Sequence, residues 1–312
     1  MIPLISILVP AFQAEKTIIR CLKSLSEQTC DNYEVIIIND GSMDNTLSLC
    51  QKFVDGGKFR LYSQDNMRIA STRQKLINYA KGEYLQFVDA DDWVASNMVE
   101  MLNNILHSGN YDIIITDFIQ HNKKKVEYKC QKPTSLNYTS FIRDLSSGKI
   151  MGVLWNKLIK RELFGNIIFP NLRYCEDWCV CLQLFNKTSN IYYHNDAYYN
   201  YDNKIDGNSL TRNINKESFQ SRIEYINYLK SINFNILYRK EYNSRVVNIA
   251  YTSIVNEVFS DIEYSQVFRG ISCWDNYMPI YKKIIVFLSN FLKLCYVKRC
   301  DLFVRKMLYK LN

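Results

Sequence analysis

Phe87-Val88-Asp89-Ala90-Asp91-Asp92-Trp93 ends a hydrophobic run with three acids in four positions. Carboxylates crowded where a strand leaves its sheet repel one another, which is costly unless a cation or several donors neutralise them. Hard oxygen ligands of this kind suit Mg²⁺ or Mn²⁺, ions that keep open positions for substrate phosphates. Asp89 and Asp91 therefore read as a metal and diphosphate site. The competing reading is a surface turn before a helix, capped by Asp92 or Ser96.

A second acidic turn lies upstream. Val35-Ile36-Ile37-Ile38 is a short apolar run rich in β-branched residues, the pattern of a strand covered on both faces. It leads into Asn39-Asp40-Gly41-Ser42-Met43-Asp44-Asn45, where Gly41 permits positive φ and Asp44 can cap a helix reaching Cys50 and Phe53. In an open α/β sheet ligands bind outside the carboxyl ends of the strands, so Asp40 and Asp89 are expected to face one crevice.

The elements that must hold these acids follow from periodicity. Leu4 to Val9 is predicted as a first strand stopped by Pro10, and Ile18, Cys21, Leu22 and Leu25 as the apolar stripe of a helix over Glu15 to Gln28. Phe59 to Tyr62 reads as a third strand, Ala70 to Lys81 as a helix closed by Gly82, and Glu83 to Val88 as the strand carrying the triple acid. A helix from Asn97 to His107 and a strand from Tyr111 to Thr116 extend the layer. Strands alternating with helices imply βαβ units and a mostly parallel sheet.

Ile7-Leu8-Val9-Pro10-Ala11-Phe12, Leu25-Ser26-Glu27-Gln28-Thr29, Glu34 to Asp44, Gly82-Glu83-Tyr84 and Asp89-Ala90-Asp91-Asp92-Trp93 occur in one order. In this the chain resembles the family 2 glycosyltransferases of GT-A fold, strongly from residue 4 to about 120 and more weakly to about Thr211. The resemblance implies an inverting transferase that moves a hexosyl or N-acetylhexosaminyl group from a nucleotide diphosphate, a UDP-sugar by preference, with Mn²⁺ or Mg²⁺ on the diphosphate. It implies further that Pro10 and Phe12 line the nucleotide pocket, that Asp40 accepts a hydrogen bond from the base, and that Asp89 and Asp91 hold ribose and metal. Where many members carry Asn-x-Gly and then Ala-Arg-Asn-x-Gly, this chain has Asn66-Met67-Arg68 and Thr72-Arg73-Gln74-Lys75-Leu76, keeping the arginine and losing both glycines. Arg68 or Arg73 could clasp the diphosphate bidentately, or be a solvated helix arginine.

Tyr174-Cys175-Glu176-Asp177-Trp178 places two acids at the start of an apolar helical stretch, where the helix dipole alone would favour them. By resemblance such a pair supplies the general base that deprotonates the acceptor hydroxyl, and Asp177 is chosen over Glu176. Trp155-Asn156-Lys157-Leu158 matches a family segment near the acceptor site; Trp155 either stacks on a sugar or packs as core within an amphipathic helix. Tyr198, Tyr199 and Tyr201 are open to the same two readings.

The 312 residues suffice for one large α/β domain plus an extension. The expected division is a GT-A catalytic domain over 1–212, with a nucleotide-sugar half (1–119) and an acceptor half (120–212), followed by a mainly helical extension over 213–312. Asp202 to Thr211, polar and with Gly207, is a candidate loop that orders over bound donor. Met1 to Val9 lacks a basic leader and reads as strand, and ten scattered cysteines suit a reducing compartment. Cys175, Cys179 and Cys181 lack usual zinc spacing and read as buried thiols. The absence of Gly-x-Gly-x-x-Gly and of a phosphate-loop lysine argues against dinucleotide oxidoreductases and P-loop enzymes.

Charge is uneven: Lys282 to Asn312 holds eight Lys or Arg and one acid, net +7, against 31 bases and 30 acids elsewhere. Interleaved with apolar residues, these bases suit either a helix lying on an anionic membrane or helices packed on the catalytic domain. The resulting expectation is a cytoplasmic enzyme, peripheral on the inner face of the plasma membrane. Its acceptor would be a lipid-linked or growing surface glycan, with no nucleic-acid partner. A nucleotidyltransferase would need an early basic phosphate loop, which is missing. A non-catalytic sugar-binding or scaffold protein would have no use for the intact acids.

Overall fold

The computed structural model describes residues 3–54, 57–204, 216–268, 271–294, 296–298, 300 and 301. The chain divides into two compact units, one of residues 1–141 and 149–206, the other of 142–148 and 207–312. The expected domain boundary at 212 and most of the proposed 202–211 loop lie outside the described residues.

The first unit is an α/β unit on a nine-stranded sheet. Its opening half holds β1 (Ile5–Ala11), α1 (Ile18–Ser26), β2 (Tyr33–Asp40), α2 (Thr46–Gln51), β3 (Phe59–Gln64), α3 (Arg68–Tyr79), β4 (Tyr84–Phe87), β5 (Trp93–Val94) and α4 (Met98–Ser108). There follow β6 (Ile113–His121), β7 (Val126–Lys129), β8 (Lys157–Lys160), a 3₁₀ turn (Arg161–Phe164), α6 (Glu176–Lys187) and β9 (Ile191–Asp202); α5 (Tyr138–Ser147), between β7 and β8 in the chain, has only its first four residues in this unit and the rest in the second. The strand order is β3-β2-β1-β4-β8-β6-β9-β5, with β7 on β6. β3, β2, β1 and β4 run parallel, β8 enters antiparallel, and β9 returns parallel to β6.

Val35 to Ile38 are buried on both faces of β2, and the Ile18, Cys21, Leu22 and Leu25 stripe of α1 is wholly buried against the sheet core. Two expectations are corrected. Pro10 does not stop β1, because the Leu8 carbonyl accepts from Val88 N and so faces β4. Pro10 two residues later directs its missing N–H to the same side, where β4 has already ended. Gly82 does not close α3, which ends at Tyr79 with Ala80 extended; a Cβ at Gly82 would come within 2.6 Å of Ser6 N, so this glycine permits close approach to β1.

One irregularity sets the far half of the sheet. Ile113 to Thr116 pair with Ile191 to His194, but the register shifts on both sides of Asp117, so that Phe118 faces Tyr199. Three extra β9 residues are taken up, an odd number that exchanges the two faces of the strand. The buried Asp117 carboxylate holds the bulge by accepting from Tyr128 OH (2.8 Å), Tyr193 OH (2.9 Å) and the Gln131 amide.

The second unit contains α7 (Lys216–Ser231), α8 (Phe234–Leu237), α9 (Arg239–Val255), α10 (Asp261–Phe268) and α11 (Ile280–Leu288). α11 buries Ile285 and Val286, and Lys282 Nζ donates to Asn248 Oδ1 of α9 at 2.6 Å. Among the described residues no helix is long and apolar enough to cross a membrane.

Candidate active site

Parallel β1, β2 and β4 deliver their carboxyl ends to one edge, which brings Pro10, Phe12, Asp40 and Asp89 together. Asp40 closes β2 and accepts through Oδ1 from Gln64 Nε2 (2.6 Å), its neighbour on β3, and from Met67 N (2.9 Å). Gly41 follows at φ +73°, and a Cβ there would lie 2.6 Å from Asn66 N, so glycine is required by both conformation and space. Asp44, one residue before the N-cap of α2, accepts from Thr46 N, the first amide of that helix, and from Thr46 Oγ1; through its other oxygen it accepts from Glu15 N, lacing the turn after β2 to the one after β1. Pro10 is buried, whereas Phe12 is 50 % exposed at the rim.

Beyond β4 the chain turns with Asp92 N donating to Asp89 O at 3.1 Å, and carboxyl oxygens of Asp89, Asp91 and Asp92 lie within 4.8 Å of one another. Asp89 and Asp91 are partly exposed. Asp92 is fully buried and caps no helix. Its Oδ2 accepts from Tyr199 OH (2.6 Å) and its Oδ1 from Asp202 N (2.7 Å). Burial, followed by the charges of Asp91 and Asp89, pushes its pKa well up. Arg20 reaches the turn from α1: it donates to Asp91 O (2.6 Å), pairs with Asp202 (2.7 Å) and covers the Trp93 ring at 4.0 Å.

Opposite stands the start of α6. Cys175 takes a left-handed conformation (φ +59°), and Glu176 and Asp177 fill the first turn. Glu176 is buried in an ion pair with Arg73, and Arg73 also lies 3.4 Å from Asp89 Oδ1. Arg73 is therefore no solvated helix arginine: it is 4 % exposed and links the acidic turn to the α6 pair. Burial alone would lower its pKa, but Glu176, Asp89 and Asp177 outweigh burial and raise it. Its Nε is buried without a partner among the described residues, an orphan donor suited to an anion. Arg68 is exposed at the first position of α3 with φ +69°. The Asp177 carboxyl accepts from Trp178 N at 2.8 Å, and its pKa is pushed up to about 7 by burial and then by the charge of Glu176, with Arg73 opposing.

Trp155 is corrected on two counts. It precedes β8 in a turn rather than lying in a helix, and at 3 % exposure it is core. Its ring stacks on Tyr199 (4.4 Å) and Tyr201 (5.5 Å) and meets Phe118 edge-on (4.8 Å), which leaves no face for a sugar. Lys157, next on this segment, is buried with Nζ donating to Met151 O, Val153 O and Asn156 Oδ1, and burial lowers its pKa. Cys179 and Cys181 are buried free thiols; the candidate metal cluster found among the described residues is the acidic turn. Sequence reasoning missed Tyr199, Asp202 and Arg20 as partners of that turn. The tyrosine richness of β9 was the only signal for the first, and nothing local marked the other two.

The Glycosyl transferase family 2 profile matches residues 6–168. The chain belongs to this family. It is 28 % identical to the putative glycosyltransferase EpsH of Bacillus subtilis over 82 % of this chain and 77 % of EpsH. It is also 28 % identical to the Escherichia coli UDP-Glc:alpha-D-GlcNAc-diphosphoundecaprenol beta-1,3-glucosyltransferase WfgD, over 60 % of this chain and 72 % of WfgD. Among solved structures it resembles S. aureus TarS 1-349 in complex with UDP-GlcNAc, with TM-score 0.64, 15 % identity, and 97 % and 91 % of the two chains covered. It also resembles Mycobacterium tuberculosis glucosyl-3-phosphoglycerate synthase with Mn²⁺, UDP and glucosyl-3-phosphoglycerate, with TM-score 0.52, 16 % identity, and 73 % and 79 % covered. The fold of this family 2 glycosyltransferase is thus GT-A, and its crowded carboxylate oxygens are the hard donor set a divalent cation requires.

Proposed function

We propose that this glycosyltransferase moves a sugar from a UDP-sugar to a hydroxyl of a lipid-linked or growing surface glycan, inverting the anomeric centre. The observation that carries the reading is the chain Asp89, Arg73, Glu176, Asp177, which ties a donor-type acidic turn to an acid with pKa near 7. Pro10 and Phe12 would flank the base, Asp40 accept its hydrogen bond, Asp89 hold the ribose, and Asp89 with Asp91 hold Mn²⁺ or Mg²⁺. A divalent cation there neutralises charge on the departing diphosphate. Asp177, ionised, takes the proton from the acceptor hydroxyl as its oxygen bonds to the anomeric carbon and the nucleoside diphosphate leaves from the opposite face. Glu176, committed to Arg73, is the poorer base, and the unpartnered Nε of Arg73 is a spare donor between the two acidic clusters that Arg73 pairs with.

UDP-bound neighbours and the lipid-diphosphate acceptor in the name of WfgD support the donor and acceptor classes. The catalytic domain under this reading is residues 1–212. A screen of nucleotide-sugar hydrolysis with Mn²⁺, followed by acceptor profiling, tests the function. UDP-sugar turnover abolished by chelator is expected, and no turnover with any nucleotide-sugar would end the proposal.

A lipid-linked acceptor implies work on the cytoplasmic side of the plasma membrane, with the basic segment 282–312 as a peripheral contact. Lys282 and Lys283 are engaged within their own unit and Lys298 pairs with Glu257, so exposed Lys293 beside Phe291 and Leu292 is the better probe than truncation, which would strip α11 from α9. Lys293→Glu should weaken binding to anionic vesicles, as should high salt. A full-length chain that ignores such vesicles at low salt ends the membrane reading.

A further inference from the structure

The acids of the turn are oriented by a group on a distant strand. The Tyr199 hydroxyl accepts from Asp89 N at 3.1 Å and donates to Asp92 Oδ2 at 2.6 Å, so one oxygen joins the first and last residues of the turn. That hydroxyl is fixed in turn. The Tyr199 ring is stacked on Trp155, and Tyr199 pairs with Val94 of β5, immediately beyond the turn. It faces inward opposite Phe118 because of the register shift at Asp117. Asp202 N, three residues along the same strand, takes the other oxygen of Asp92. With both oxygens of Asp92 engaged, Asp89 and Asp91 are the acids left partly open to solvent.

We propose that Tyr199 is a positioning residue whose hydroxyl pins the acidic turn, with Asp92 as its buried anchor rather than a metal ligand, so that Asp89 and Asp91 face the donor. The proposal rests on the reading of that turn as the donor and metal site. Trp155 and the Asp117 bulge then act on catalysis through Tyr199, which gives a reason for a buried tryptophan and a strand irregularity beside a site they never touch.

UDP binding measured by calorimetry with and without Mn²⁺ tests the pin directly. Tyr199→Phe keeps the stacked ring and removes the hydroxyl. It should weaken Mn²⁺-dependent UDP binding about 10- to 100-fold, the usual cost of leaving buried polar groups, here Asp89 N and Asp92 Oδ2, without their partner. Tyr84→Phe is the control for stability: it removes a hydroxyl that donates to Tyr111 O at the opposite end of β4, and should lower the melting temperature without moving UDP affinity. Asp92→Asn should also weaken binding, and in combination with Tyr199→Phe should add less than its own single effect, since both act through one contact. Unchanged UDP affinity in Tyr199→Phe, or fully additive losses in the double variant, would overturn the proposal; should Tyr199→Phe not fold, unchanged affinity in Asp92→Asn overturns it alone. Wild-type binding indifferent to Mn²⁺ would remove the metal reading instead. A loss of metal-free UDP affinity in Tyr199→Phe would then still support the pin, and no loss would refute it.

Discussion

Two acidic clusters face this site and are neutralised in different ways. In the turn after β4, Asp92 is met by neutral donors from Tyr199 and Asp202, while Asp89 and Asp91 stay partly open. At the start of α6, Glu176 is buried against the Arg73 guanidinium, and the adjacent Asp177 is left with its pKa pushed up to about 7 by burial and by Glu176. The contrast matches what each cluster has to do. A donor site needs acids that stay ionised and wait for an external cation, whereas a base needs one acid that can gain and lose a proton near neutral pH. Arg73, in contact with both, keeps the two clusters from acting as one pool of negative charge.

The largest expected effect breaks the first cluster. Asp91→Asn is nearly isosteric at a solvent-accessible position, so the fold should persist while donor turnover falls by at least ~10³-fold, on the order of the several kcal/mol a bound metal contributes to charge stabilisation. Metal-dependent nucleotide binding should vanish with it. Full activity in this variant, or in wild type with excess chelator, would remove Asp91 from the metal site.

The second cluster is broken by Asp177→Asn, which should reduce transfer roughly 10²- to 10⁴-fold while nucleotide-sugar affinity persists. Loss of donor binding would move Asp177 into the nucleotide site. In wild type, kcat/KM should rise with pH through about 7, because Asp177 must lose its proton to act. Glu176→Gln sharpens the point: with the like charge gone, Asp177 ionises more readily, so the acid limb should shift to lower pH with activity retained above it. Loss at every pH in Glu176→Gln, beside normal transfer in Asp177→Asn, would show that Glu176 is the base.

The sequence disclosed the donor half and hid the rest for a physical reason. The Val35 to Ile38 run, the Ile18 to Leu25 stripe and the acids at the ends of β2 and β4 are local patterns, and parallel pairing alone brings Asp40 and Asp89 to one edge. Pro10 misled because strand tolerance of proline depends on which neighbour its missing N–H faces, a property of pairing rather than of the residue. Tyr199 could not be assigned, since its face depends on an odd register shift held by Asp117 with Tyr128, Tyr193 and Gln131. The burial of Arg73 likewise follows from Glu176, 103 positions away.

The smallest expected effect concerns stability. Folded Asp177 keeps its proton up to about 7, while the unfolded chain releases it near the ordinary 3.8. Between these values the folded state binds more protons than the unfolded one, so the contribution of this group is whole below about pH 4 and is lost as pH rises through 7. Asn at this position does not titrate. The melting temperature of Asp177→Asn, measured without nucleotide or metal, should therefore gain steadily on that of wild type as pH rises from about 4 to about 8. Arg73→Met should change this: with the opposing cation gone, Glu176 and Asp177 share one buried site with nothing to hold either ionised, and stability should fall more steeply with pH than in wild type. A melting difference between Asp177→Asn and wild type that stays constant across that range would mean that Asp177 titrates as an ordinary surface acid, and the contrast between the two clusters would lose its second half.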